Sequence, residues 1–132
     1  MIPIVYINCS AAPFISDIIG GKKVYETRSR DTLRGFIGHR VLLAETGKHG
    51  RPVVRCSAVI DNAITCDRGA FQRLRHLHRV PRGSAYDWKP ETKKKVLYRL
   101  VDVQPVPPFP APEGVRHGRV WMEYENNGGI KP

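Results

Sequence analysis

Within GGKKVYETR, residues 20–28, an amine, a carboxylate and a guanidinium stand close together as Lys23, Glu26 and Arg28. A carboxylate can hold a cation in place or take a proton from water, an amine becomes a base when burial lowers its pKa, and a guanidinium offers a planar fork of donors. Such a trio can bind a polar ligand or hydrolyse one. On a regular strand Lys23, Tyr25 and Thr27 would point one way and Val24, Glu26 and Arg28 the other. A half-exposed Glu26–Arg28 pair on a sheet edge, with Lys23 in water, fits the same pattern and contributes little energy.

A second group of residues suits a polyanion. Of the net charge of +10, a share of +8 lies between Arg68 and Arg99, where ten Lys or Arg face only Asp87 and Glu91. Arg73, Arg75, Arg79, Arg82, Lys89, Lys93, Lys94 and Lys95 are the candidate nucleic-acid contacts. Tyr86 and Trp88 sit among them and offer flat faces on which bases stack, as in readers of single-stranded RNA. Trp88 plugging one end of the fold is the structural alternative. His76 and His78, two apart on a helix, cannot share a metal, and no cysteine pair has C-x-x-C spacing. No metal and no cofactor is expected.

The elements that must position these residues can be read from periodicity. PIVYINC is β-branched and aromatic and reads as a strand. Ser10 is a natural N-cap, with Pro13 in the first turn of a helix carrying Phe14, Ile15, Ile18 and Ile19, and Gly20-Gly21 can end it in the left-handed conformation. KVYETRS, HRVLLAE and VVRCSAVID read as strands, the last two joined by the turn TGKHGRP. Asp67 or Thr65 caps a second helix, RGAFQRLRHLHR, with Phe71, Leu74 and His78 on one face. A polar loop then leads to the strand VLYRLVDV. QPVPPFPAPEG reads as a bridge too stiff for a helix or a central strand, and VRHGRVWMEY as a closing strand.

The chain of 132 residues is read as one domain, 1–126, with a loose tail at 127–132. Three widely spaced cysteines, and an amino-terminal stretch unlike a secretory leader, point to a reduced, cytoplasmic setting. Without an apolar run of about 20 residues, no membrane association is expected. Short strands with two helices interposed give an α+β class and a small barrel.

The spacing Gly21-x-Lys23-x-x-Glu26-x-Arg28, directly after a strand and a short amphipathic helix, resembles the signature of the ASCH domain family. The match extends to RVLLAE, and more loosely to Trp88 and VLYRLVDV. The resemblance implies a PUA-like β-barrel with two or more short helices and a cleft floored by Lys23, Glu26 and Arg28. Its ligand would be RNA or a nucleotide-like molecule, which makes RNA the expected partner; the oligomeric state stays open. ASCH-like proteins include nucleic-acid binders, ribonuclease-like enzymes and amidohydrolases that deacetylate acetylcytidine. In that last branch a threonine stands where this chain has Glu26, which counts against deacylation by the same route. If the chain is an enzyme, Lys23 and Glu26 are the catalytic candidates; an amidohydrolase or a ribonuclease is the alternative to a binding module. A third reading makes PVPPFPAP an exposed, disordered ligand for a protein partner.

Overall fold

The computed structural model describes residues 2–48, 50–111, 121–124 and 130–131. Strands β1 (Ile2–Asn8), β2 (Tyr25–Arg28), β3 (Arg40–Thr46), β4 (Val53–Cys66), β5 (Lys95–Pro110), β6 (Trp121–Tyr124) and β7 (Ile130–Lys131) form one sheet in the order β2-β5-β4-β3-β1-β6-β7. Among the described ladders, β1 and β3 run parallel and the rest antiparallel. The first five in that order curl into a half-barrel. Arg28 at the end of β2 donates from Nη2 to the Tyr6 carbonyl of β1 at 2.8 Å, although the two strands are four places apart in the sheet.

The helices are α1 (Phe14–Ile19), α2 (Arg68–Arg73) and α3 (Arg75–His78). Through Phe14, Ile15 and Ile18, α1 joins a core with Val5, Ile7, Val41, Leu43, Ala58, Ile60 and Tyr98. Neighbouring positions of the same strands, Ile4, Leu42 and Ala44, meet Val106 and Ala111 in a second cluster, so β1 and β3 are buried on both faces. That explains why their sequences read as continuous apolar runs. A third cluster seats Phe71, fully buried, against Cys66, Val80 and Leu97. Burial of a side chain of that size contributes about 1.5–3 kcal/mol.

Several local expectations need correction. Ser10 does not cap α1: its N–H bonds the Asn8 side chain, and Pro13 holds the cap position without a side-chain bond. Asp67 does cap α2, accepting from Ala70 N–H at 2.8 Å. The single helix read over 68–79 breaks at Leu74 into α2 and α3. Gln104 to Pro110, read as a stiff bridge, is the second half of β5 and pairs with β4 through Pro105, Phe109 and Pro110. β2 reaches only Val96 to Arg99, so on that side the proline-rich half has no described partner, an edge position in which proline is tolerated. Val106 and Ala111 are buried, which removes the reading of this segment as a disordered ligand.

Most of the closing strand's sequence lies outside the described residues, with Trp121 and Met122 paired to β1. In the tail, Ile130 and Lys131 pair with β6. All three cysteines are buried free thiols. Among the described residues no helix is long and apolar enough to cross a membrane.

Candidate functional site

The turn after α1 sets the site. Gly20 stays right-handed, Gly21 takes φ +77°, and the N–H groups of Lys22 and Lys23 both bond the Asp17 carbonyl, at 2.8 and 3.0 Å. Val24 N–H reaches the Leu77 carbonyl of α3 at 2.7 Å, and regular pairing starts only at Tyr25. Lys23 therefore lies before the pleat begins. The expected alternation, with Lys23 and Glu26 on opposite faces, does not apply.

Lys23 is turned inward and only 2% exposed, which also excludes a lysine in water. Its Nζ donates to the His78 carbonyl at 2.5 Å, stands 3.8 Å from Glu26 Oε1 and lies 4.6 Å from the centre of the Phe14 ring. Burial pushes the ammonium down to about 8, with Glu26 and Asp17 pulling the other way. The His78 carbonyl is free for this role because α3 ends there, with Arg79 left-handed at φ 63°. His78 itself is fully buried and stacked on Phe71 at 4.1 Å. Its Nδ1 accepts from Val80 N–H at 3.0 Å, so Nε2 carries the proton and donates to the Phe71 carbonyl at 2.8 Å. Burial lowers the imidazole pKa to about 4 and keeps it neutral.

Glu26 links this buried seat to an open cleft of about 400 Å³. Its Oε2 lies 2.9 Å from Arg28 Nη2, the nitrogen that also bonds the Tyr6 carbonyl. Arg28 Nε is buried with no acceptor among the described residues. Glu26 and Arg28 border the cleft together with Tyr6 and Asn8 of β1, Thr46 of β3, and the rings of Phe14 and Tyr86. Those two rings meet edge-on at 6.1 Å. Thr27, expected opposite Glu26, borders the cleft as well. Gly47, which follows Thr46, is required because a Cβ there would collide with the Asn8 side chain and the Ser10 backbone.

Lys23 is not among the residues bordering the cleft; it backs Glu26 from below. Trp88 is absent from it too, tilting against Phe71 at 5.7 Å in the third apolar cluster. The expected stacking pair is thus split, with Tyr86 in the cleft and Trp88 holding the helix.

The basic segment divides in the same way. Asp87 accepts from Gly83 N–H at 2.7 Å, Trp88 N–H at 2.8 Å and Arg75 Nη2 at 2.9 Å. Burial would raise the Asp87 carboxyl, but these donors outweigh it and hold it at about 2. Lys95 is buried, with Nζ on the Tyr86 carbonyl at 2.6 Å, and Lys89 bonds the Ser84 carbonyl at 2.7 Å. Burial lowers the Lys95 pKa. Arg75, Lys89 and Lys95 are therefore bonded to the loop that carries Tyr86; Lys95 is buried, and Arg75 and Lys89 are half-buried. Arg73, Arg79, Arg82, Lys93 and Lys94 are exposed. Sequence reasoning missed Tyr6, Asn8 and Thr46, which only the curl of the sheet brings to the cleft. It also missed the His78 carbonyl, a backbone group that no residue type announces.

The fold defines a class. No protein-family model and no curated protein matches the chain. Among solved structures, the crystal structure of ASCH from Zymomonas mobilis has a TM-score of 0.66, at 21% identity over 81% of this chain and 71% of its own. A tyrosine-to-phenylalanine variant of that protein has a TM-score of 0.60, at 23% identity over 81% and 73%. A serine-to-alanine variant also reaches 0.60, at 24% identity over 83% and 77%. The chain is thus an α+β half-barrel with the ASCH fold, as the resemblance around Lys23, Glu26 and Arg28 implied.

Proposed function

We propose that the protein binds RNA or a nucleotide-like ligand, with a base or sugar entering the cleft over Glu26 and Arg28. The observation that carries this reading is the Glu26–Arg28 pair at 2.9 Å on the border of a 400 Å³ cleft beside the Tyr86 ring. A carboxylate accepts from ring or amino N–H groups, a guanidinium donates to carbonyl oxygens, and an aromatic face stacks on a heterocycle. The exposed cations Arg73, Arg79, Arg82, Lys93 and Lys94 are the available phosphate contacts.

A second reading, hydrolysis of a modified nucleoside or of RNA in the same cleft, is favoured by one observation. The Lys23 ammonium, lowered to about 8, sits 3.8 Å from Glu26. Because Lys23 does not border the cleft, Glu26 would be the group that takes a proton from water, with Lys23 holding its side chain in position. Incubating the parent and Glu26→Gln with mixed RNA and a panel of acylated nucleosides separates the two readings. Binding by both proteins without turnover supports the binding module. Turnover by the parent, lost in the variant while binding persists, supports the hydrolase. Neither binding nor turnover by the parent sinks both.

A further inference from the structure

A second hollow, of about 320 Å³, opens between the β3–β4 hairpin and the end of β5, and the proposed function does not use it. Glu45 borders it, whereas the next residue, Thr46, borders the cleft, so alternation along β3 sends the two to opposite faces. Among the described residues, its charged groups are Lys48, Arg51 and Arg55 against the carboxylate of Glu45, with Val53 and Pro108 as apolar walls.

Two of the three cations are fixed by the fold. Arg51 Nη2 donates to the Ala111 carbonyl at 2.5 Å, and Ala111 N–H returns to the Pro52 carbonyl at 2.8 Å, tying the hairpin to the end of β5. Arg55 Nη1 lies 3.0 Å from Glu45 Oε2. Arg55 is also the extra residue of a β-bulge. Leu43 pairs with Cys56 and Ala44 with Val54, while β5 pairs Pro105 with Cys56 and Phe109 with Val54, so neither neighbour opposes Arg55. Bulges re-aim a side chain, and here the one re-aimed is a guanidinium. Among the described residues, Glu45 offsets one positive charge and leaves two.

We propose that this hollow is a binding site for a phosphoryl group. Arginine forks match phosphate oxygens, and donors already held in place lose little freedom on binding. The phosphoryl group belongs either to nucleic acid or to a free phosphate compound. This site stands independently of the reading of the cleft.

Titration at constant ionic strength, followed by amide resonances, tests it with sodium pyrophosphate in one arm and a short single-stranded RNA in the other. Pyrophosphate should shift Glu45, Lys48, Arg51 and Arg55 saturably. Lys48→Gln combined with Arg51→Gln should weaken it about tenfold or more, and Arg28→Lys should leave it unchanged. Lys48→Gln alone, at an exposed side chain, covers the case in which loss of the Arg51 bond unfolds the hairpin. Shifts that spread over the whole surface without saturating, or equal affinity in parent and variants, overturn the site. RNA that moves the same resonances assigns the phosphoryl group to nucleic acid. Resonances that respond to pyrophosphate and not to RNA assign it to a free phosphate compound.

Discussion

An ammonium buried beside a carboxylate and bonded to a helix-terminal carbonyl supports its neighbours as much as they support it. Lys23→Ala would leave the Glu26 carboxylate without its inner partner and the His78 carbonyl without a donor. Breaking a buried pair from one side costs about 3 kcal/mol or more. Chemical denaturation should therefore show that loss in the variant, and a change below about 0.5 kcal/mol would place Lys23 in water after all. His78 carries a pH signature. Its folded pKa of about 4 lies below the ordinary 6.5, so the stability gained by burying it neutral is complete above 6.5 and is lost as pH falls through 4. The amount is on the order of 3 kcal/mol. At pH 5.5 the nitrogen shifts of its ring should still report a neutral imidazole protonated on Nε2; a ring that titrates near 6.5 would contradict the burial. Lys23, Glu26 and Arg28 stand out in the sequence by residue type and spacing, and they do form one charged cluster. Their relative placement was not legible, because pleat alternation holds only inside a strand and Lys23 precedes one.

The loop from Gly83 to Trp88 is built around Asp87, and its product is the position of the Tyr86 ring. Asp87→Asn weakens the pairing with Arg75 without touching the cleft. If the loop acts through Tyr86, Asp87→Asn should lower ligand affinity severalfold in the parent and have no further effect in a Tyr86→Ala background. Additive losses would show that Asp87 acts elsewhere. Strands β1, β3 and β4 were legible as short runs rich in β-branched and apolar residues, and helix α1 by the helical spacing of Phe14, Ile15, Ile18 and Ile19. The proline-rich half of β5 was not. Proline is tolerated in a ladder when the adjoining edge is open, and which edge is open depends on how far β2 extends, a property of the assembled sheet. Nor could charge counting separate Lys95 from Lys94. One is buried on the Tyr86 carbonyl and the other is exposed, though they are neighbours in the chain.

For the whole molecule, the net charge is +10, and Arg73, Arg79, Arg82, Lys93 and Lys94 are among the cations that folding leaves exposed. If about four phosphates are contacted, raising salt from roughly 50 to 200 mM should weaken RNA binding about a hundredfold, since each contact releases condensed counterion. Lys93→Gln with Lys94→Gln should flatten that slope, and a flat response in the parent would remove the electrostatic part of the account. The curl of the sheet makes a stronger claim, because it brings β1 and β2 together around a cleft bordered by Glu26 and Arg28. Equilibrium titration of single-stranded RNA into the parent and into Arg28→Lys, with thermal melts confirming that both are folded, tests that claim most directly. The lysine keeps the charge and loses the fork, so the account predicts binding at least about tenfold weaker in the variant at the same salt. Equal affinity in two folded proteins would contradict it and place the RNA contact outside the cleft.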